Sequence, residues 1–340
     1  MKLLYSLAIA VVMVGQMPCE AQAPLKLVES LLMPEVPAGP YADHMAVDTV
    51  GHRLFVTPQA NKAVDVFDLN SGQLLHTIVG FGNPHSVFYQ SELDQIYVTD
   101  GGAGAVKIFS GVDYQLIKTI QLEPDADGIE YDPAQKYLYV DNGGHDAGKD
   151  YSFISIIDTS KGEKVGDIRI DADKLEALVI DPLSSRIYVN LPTINRVAVI
   201  DRVKRTVIAN WPLTKGKTNM AIALDAMHHR RYVGCRNADV RGTIVVIATE
   251  TGKEVESLPI GGWVDYLAYD SKKKRIYASC GVGEVYTYQR LDSGGHRLLP
   301  LTDTAVMAKT ALYSADLDRL FVAVPHLGGT AAQVRVFQPR

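Results

Sequence analysis

Seven recurring positions in the sequence carry residue types that can bind ions or transfer protons. Each lies five residues before a turn, usually one that contains aspartate, and six of the seven are ionisable. Carboxylates and imidazoles held close together can ligate a divalent cation or act as acids and bases. The positions are Asp43, His85, Asp127, Glu176, Met220, Asp265 and Lys309.

The elements that position these residues are short strands in a repeated pattern. Segments resembling Leu-Tyr-Val begin 42 to 49 residues apart, a period typical of a four-stranded propeller blade. Between them, stretches such as "AVDVFDL" at Ala63 and "RVAVID" at Arg196 alternate with period two, and "NSGQ" at Asn70 fits a hairpin turn. The sequence therefore predicts an all-β fold, a seven-bladed β-propeller of four-stranded antiparallel blades.

The last repeat lacks a fourth strand. An unassigned segment near the start, "LKLVESLLM" from Leu25, can supply it. Pairing this N-terminal strand with the last blade would close the ring and cover exposed strand edges. We therefore expect one propeller domain over residues 24–340, and a monomer.

The repeats also carry a family resemblance. The "YVT", "YVD" and "YVN" strands, the Asp-Pro turn and the "V-I-D-x-x-x-G-K" hairpin resemble the repeats of the YncE-like, YVTN-repeat family of exported β-propellers. The resemblance covers essentially all of residues 24–340 and implies the propeller fold. It implies no particular chemistry, because the family has no shared catalytic motif to transfer to this sequence.

In a closed ring, the seven positions would meet at one mouth of the central channel. Two carboxylates about 8 Å apart repel by roughly 2 kcal/mol at an effective dielectric constant of about 20. Lys309 lies between Asp265 and Asp43 in circular order, so these three should neutralise one another. His85, Asp127 and Glu176 remain, and Asp127 and Glu176 are the candidate ligands for a divalent cation.

Loops on the same face extend the candidate site. The longest repeat contains the insertion "NGGHDAGKDYS", which begins at Asn142 and includes His145, and Asn190 follows a strand in the next repeat. Extra loop length at one blade is a frequent location for binding residues. We include Asn142, His145 and Asn190 among the candidate ligand-binding residues.

The pattern favours a binding or scaffold protein that takes a small molecule, a cation or a protein partner. Two alternatives stay open: a metal-dependent hydrolase, lactonase or isomerase at the same mouth, and a binder of polyanions or single-stranded nucleic acid. The second would use basic turns on the opposite face, near Arg196, His228 and Lys272. Solvated strand ends would also account for the acidic column. No haem or nucleotide motif is present, and the cofactor and catalytic residues stay unassigned.

The first residues indicate export. A lysine precedes the apolar run Leu3 to Val14, and Ala21-Gln22-Ala23 resembles a signal-peptide cleavage site. A lipoprotein anchored at Cys19 is the alternative. We expect residues 1–23 to be a signal peptide, no transmembrane segment after it, and a periplasmic or secreted protein.

Composition limits the remaining choices. The net charge of −5, with 47% hydrophobic and 21% charged residues, indicates a globular chain without a general attraction for polyanions. After cleavage only Cys235 and Cys280 would remain. Two free thiols are favoured, although a disulfide in an oxidising compartment stays open.

Overall fold

The structure is a computed structural model that describes residues 22–34, 42–238 and 241–340. Residues 1–21, with most of the predicted signal peptide and Cys19, lie outside the described residues. The described chain forms seven antiparallel sheets, each built around four strands. The all-β, seven-bladed prediction is confirmed.

The first three sheets follow one another along the chain, each from its inner to its outer strand. Ahead of them stands β1 (Leu25–Leu32). The first blade contains β2 (Ala42–Asp48), β3 (Arg53–Pro58), β4 (Ala63–Asp68) and β5 (Leu74–Val79). The second contains β6 (Pro84–Gln90), β7 (Gln95–Asp100), β8 (Ala105–Ser110) and β9 (Leu116–Gln121). The third contains β10 (Ile129–Asp132), β11 (Tyr137–Gly143), β12 (Ser152–Asp158) and β13 (Glu163–Ile170).

The next three sheets repeat this order. The fourth contains β14 (Leu178–Ile180), β15 (Arg186–Leu191), β16 (Arg196–Asp201) and β17 (Thr206–Pro212). The fifth contains β18 (Asn219–Asp225), β19 (Arg230–Ala238), β20 (Arg241–Ala248) and β21 (Glu254–Gly261). The sixth contains β22 (Val264–Asp270), β23 (Arg275–Cys280), β24 (Glu284–Arg290) and β25 (His296–Leu298), and β26 (Thr302–Asp303) also pairs with β24.

The seventh sheet joins the two ends of the described chain. It contains β27 (Ala311–Ser314), β28 (Arg319–Val324) and β29 (Gln333–Pro339), with β1 as its outer strand. Strands β1 and β29 are antiparallel, and the register pairs Leu25 with Pro339 and Leu32 with Gln333. Single 3-10 turns occupy Gln59–Asn61, Gly144–Ala147 and Ala226–His228.

The core lies between the blades. Seven clusters of buried apolar residues are found in the described chain, one between each pair of neighbouring sheets. In the cluster between the first two blades, for example, Phe55 and Val64 pack with Val87 and Ile96. The second strand of each blade is therefore covered on both faces, which explains its continuous apolar run. Packing in this way aligns the starts of the seven inner strands around one axis.

Candidate functional site

A cavity of about 250 Å³ lies where the inner strands begin. Its lining includes a residue from the start of the inner strand of every blade. These are the seven residues of the column found in the sequence: Asp43, His85, Asp127, Glu176, Met220, Asp265 and Lys309. The structure therefore brings the whole column together.

Hydrogen bonds between neighbouring blades fix the backbone of this column. The Thr57 hydroxyl donates to the carbonyl of His85 at 2.7 Å, and the Thr99 hydroxyl donates to the carbonyl of Asp127 at 2.7 Å. Both threonines end a Tyr-Val-Thr-like segment. The same position makes an interblade bond elsewhere, from Asn190 to Ala221 at 3.0 Å and from Ser279 to Ala308 at 2.9 Å. In these blades the last residue of the repeat motif is thus a hydrogen-bond donor that links one blade to the next.

Asp141 occupies the same position in the third blade, where it cannot donate a proton while ionised. Its Oδ1 accepts the Gly128 N–H at 2.6 Å, whereas its buried Oδ2 has no hydrogen-bond partner. Burial, followed by the charge of Asp127, raises the pKa of Asp141 well above its usual value. Asp141 lines the cavity and is therefore an acidic group that the interblade bonding does not satisfy.

One side of the cavity carries a compact ion-pair cluster. Lys309 contacts Oδ2 of Asp265, and Arg236 contacts Oδ1 of the same carboxylate. The sequence-based interpretation had Asp43 sharing this neutralisation. The structure adds Arg236 at Asp265 and hydrogen bonds from Gln59 and His85 to Asp43, and Lys309 joins His44 and His85 in lowering the pKa of Asp43 against the effect of burial.

The other side centres on His85. Its Nδ1 lies 2.8 Å from Asp43 Oδ2 and 3.5 Å from Asp127 Oδ1, and its Nε2 lies 2.8 Å from Asn83 Nδ2. Burial alone would lower the pKa of His85, but Asp127 and Asp43 outweigh it and raise the pKa to about 9. Burial would likewise raise the pKa of Asp43, yet His44, His85 and Lys309 together lower it. At neutral pH the pair is therefore an imidazolium beside a carboxylate.

Nearby positive charge compensates the carboxyl group of Glu176 less well than that of Asp43. Burial and then Asp127 raise its pKa well above the usual value, while Lys174 acts in the opposite direction. Lys174 is itself bonded to Asp125 Oδ2 at 2.8 Å. Simultaneous ionisation of the carboxyl groups on this side of the cavity is therefore unfavourable.

Three other predicted site residues lie outside the cavity lining. Asn142 is buried and donates to the carbonyl of Val140 and to Ser155, and Asn190 is used in the interblade bond. His145 is exposed on the 3-10 turn, with Nδ1 3.2 Å from Asp146 Oδ1. The interpretation of these three as part of the mouth is corrected, because hydrogen bonds to the fold or outward placement keep them from the cavity.

The cavity also contains His44 and Gln59, which the column pattern did not indicate. Strand alternation would point His44 away from Asp43. The register of β2 against β3 is interrupted between Ala42 and Met45, and this irregularity lets both neighbours face the cavity. Gln59 comes from the first 3-10 turn. Neither feature leaves a periodic signal in the sequence.

Many of the basic residues near the turns on the opposite face form contacts within the protein. Lys273 pairs with Asp318 at 2.6 Å and Lys274 with Asp292 at 2.7 Å. Arg231 is fully buried and cannot belong to a surface patch. These contacts leave less positive charge for a polyanion than the sequence suggested.

The two described cysteines are separate. Cys235 and Cys280 are both free and buried, and they belong to different apolar clusters. Burial raises the pKa of Cys235 to about 12 and also raises that of Cys280. They act as small apolar core residues.

Glu130, in the inner strand β10, gives a testable pH dependence. Burial raises its pKa to about 7, against a 3.5 Å hydrogen bond from the Ile180 N–H. The folded state therefore holds this proton more tightly than the unfolded state, so its contribution to stability is lost as pH rises from about 4.5 to about 7. Glu130→Gln should raise the free energy of unfolding at pH 8 by on the order of 1 kcal/mol, with little change at pH 4.

Urea unfolding of Glu130→Gln and the original protein at both pH values measures this difference. Glu250→Gln, in an exposed turn, is the control and should show no pH-dependent difference. An equal effect of Glu130→Gln at pH 4 and pH 8 would contradict the assignment.

Comparisons with known proteins agree with the architecture. Neither protein-family models nor curated proteins give a match to the sequence. A solved structure of Kuenenia stuttgartiensis hydrazine synthase is similar, with 19% identity, a TM-score of 0.74, and coverage of 89% of this chain and 96% of that chain. The chain is a seven-bladed β-propeller.

Two further propellers show how widely this fold is shared. The RRP9 WD40 repeats match with 13% identity and a TM-score of 0.76, covering 94% of this chain and 100% of that chain. A chain of the mitotic checkpoint complex matches with 13% identity and a TM-score of 0.73, covering 98% and 99%. At these identities the likeness shows the fold alone. Within the described part of the propeller, no helix is long and apolar enough to cross a membrane.

Proposed function

We propose that the protein is an exported propeller of the YncE-like, YVTN-repeat type that binds a small positively charged ligand at its acidic mouth. The Tyr-Val-Thr-like strands and the hairpin motifs support the family assignment. The charged start, apolar run and small-residue site within residues 1–23 support export to the periplasm or the exterior. The binding assignment depends on the mouth itself.

The observation that carries the proposal is the uneven charge of the cavity. Four carboxyl groups line one side, where the His85 imidazolium supplies one positive charge, and the cations of the other side, Lys309 and Arg236, both contact Asp265. A positively charged ligand would offset repulsion of roughly 2 kcal/mol per carboxylate pair at about 8 Å. The four carboxyl groups are Asp43, Asp127, Asp141 and Glu176.

Binding accounts for the lining better than covalent catalysis does. Among the described residues around the cavity there is no serine or cysteine, and the hydroxyl groups are those of Tyr266 and Thr310. The Tyr266 oxygen accepts the Tyr313 N–H at 2.7 Å, and burial raises the pKa of Tyr266 to about 12. An activated hydroxyl or thiol nucleophile is therefore not assembled by these residues. The small, strongly polar cavity suits a compact cation.

Calorimetric titration with spermidine and with Mn²⁺ tests the proposal, because the two probes share positive charge and little else. Asp127→Asn should weaken binding of at least one probe by tenfold or more, since it removes a charge without changing the shape of the side chain. Asp292→Asn, which changes an exposed carboxylate paired with Lys274, is the matched control. Failure of both probes to bind, or equal binding to Asp127→Asn, would contradict the proposal.

A further inference from the structure

Three side chains at the mouth are arranged as ligands for a metal ion. We propose that Asp43, His44 and Asp127 bind one divalent first-row transition metal ion, Mn²⁺ or Zn²⁺. This inference rests on the proposed function, because it names the cation class for the same cavity. The site differs from the sequence-based expectation of Asp127 with Glu176, since His44 and Asp43 replace the glutamate.

The donor atoms have the spacing that one ion requires. His44 Nε2 lies 3.7 Å from Asp43 Oδ1 and 4.0 Å from Asp127 Oδ1. One ligand atom from each of the three residues lies within 4.8 Å of the other two. An ion among them could reach all three at roughly 2.0–2.5 Å, the range of metal–nitrogen and metal–oxygen bonds.

A second layer of hydrogen bonds orients the Asp43 ligand. Its Oδ2 lies 2.9 Å from Gln59 Nε2 and 2.8 Å from His85 Nδ1, so these bonds occupy the oxygen that does not face His44. The other oxygen of Asp43, Oδ1, faces His44 and Asp127. Such outer-shell bonds hold metal ligands in position and commonly change affinity by about 10–100-fold.

The backbone of the site is held in the same way. The Thr57 hydroxyl lies 2.8 Å from the carbonyl oxygen of His44, and the Thr99 hydroxyl lies 2.7 Å from that of Asp127. Asp43 and His44 belong to β2 in the first blade, and Asp127 lies just before β10 in the third blade. Thr57 also bonds the second blade at the carbonyl oxygen of His85, so Thr57 and Thr99 together link the first blade to the third through the second and fix the separation of the ligands.

An independent observation at the same cavity points to a ligand. Asp141 is 2% exposed and lines the cavity, yet its Oδ2 has no hydrogen-bond partner. A buried carboxyl oxygen without a hydrogen-bond partner is costly. Water molecules bound to a metal ion are strong donors, and a metal-bound water in the cavity could donate to this oxygen.

The donor set selects the class of metal. Two carboxylates and one imidazole suit Mn²⁺ and Zn²⁺, whereas Mg²⁺ and Ca²⁺ favour oxygen ligands alone. The described lining contains no cysteine, so the soft ions that prefer thiolate have no preferred ligand. We therefore expect Mn²⁺ and Zn²⁺ to bind more tightly than Mg²⁺ by at least tenfold.

The test is titration of chelator-treated, full-length protein with Mn²⁺, followed by the electron paramagnetic resonance signal of free Mn²⁺, with Zn²⁺ measured by competition. We expect one Mn²⁺ per chain. Asp127→Asn and His44→Gln should each weaken binding by about 10–100-fold. His145→Gln is the matched control, because it removes a histidine next to an aspartate on the exposed 3-10 turn, and binding should not change.

The outcomes separate this inference from the proposed function. If Mn²⁺ and Zn²⁺ do not bind but spermidine binds in an Asp127-dependent way, the metal site is overturned and the proposal of a cation-binding acidic mouth stands. If no probe binds, both fail. Unchanged Mn²⁺ affinity in Asp127→Asn and His44→Gln would also overturn the site. Thermal melts of both variants verify folding, and Gln59→Ala, which removes a bond to Asp43 and no ligand, should weaken Mn²⁺ binding by a smaller factor.

Discussion

Leu31→Ala should lower the free energy of unfolding by about 3 kcal/mol, within the range of roughly 2–5 kcal/mol for a buried leucine. Leu31 is 1% exposed and packs in the cluster between the seventh and first blades, with Phe67 and Val334 among its members. Its removal leaves a cavity at the place where β1 joins the ring. Urea unfolding followed by tryptophan fluorescence measures the change.

The neighbouring residue provides the control. Leu32 has the same side chain and belongs to the same strand, but it is 67% exposed. Leu32→Ala should therefore change the free energy of unfolding by less than about 0.5 kcal/mol. Equal effects of the two substitutions would contradict the pairing of β1 with β29 in the register described above.

Arg231→Met should raise the free energy of unfolding by about 1–2 kcal/mol, because it replaces a buried charge by an apolar side chain of similar length. Arg231 is fully buried, and none of its three side-chain nitrogens has a hydrogen-bond partner in the described chain. Its guanidinium lies 4.0 Å from the ring centre of Tyr188 and 4.6 Å from that of Trp211. Burial lowers the pKa of Arg231 to about 9, so the charge remains at neutral pH.

Urea or thermal unfolding at pH 7 checks this expectation. The two ring contacts oppose it, since a desolvated cation over an aromatic face gains about 2 kcal/mol. A methionine keeps favourable contacts with both rings without the cost of desolvating a charge. A loss of more than about 1 kcal/mol in Arg231→Met would show that the aromatic contacts outweigh that cost. Tyr188→Phe, which keeps the ring and removes an unpartnered hydroxyl, should be neutral or slightly stabilising.

The fold was predictable because one pattern occurs seven times. The second strand of each blade is covered on both sides, and segments such as Ile96-Tyr97-Val98 accordingly contain no charged residue. The column of inner-strand starts was predictable for the same reason, since equivalent positions in a ring face one axis. The repeat period alone was therefore enough to predict that Asp127 and Glu176 lie at the same cavity.

Individual contacts at the mouth were not predictable in this way. His44 enters the cavity through an irregularity in the register of β2, and Gln59 enters from a single 3-10 turn. Asn142 has the chemistry of a ligand, but its amide is used inside the third blade. Such outcomes depend on which hydrogen bonds the folded chain offers each side chain, and a single sequence does not record that.

Arg231 shows the same limit for charge patterns. The sequence "HHRR" from His228 indicates a basic turn, yet consecutive residues of a strand point to opposite faces. Arg231 follows Arg230 at the start of β19 and points into the layer between the fourth and fifth blades. A run of positive charge therefore does not correspond to a surface patch once a strand has begun.

The pairing of β1 with β29 also fixes an order of events during synthesis. Six sheets are built from consecutive segments, so each can form soon after its own four strands leave the ribosome. The seventh must wait for residues 333–339, because its outer strand is made first and its partner last. Until then β1 is an unpaired edge about 300 residues from its partner, and loop closure over that length is the slow step we expect in refolding.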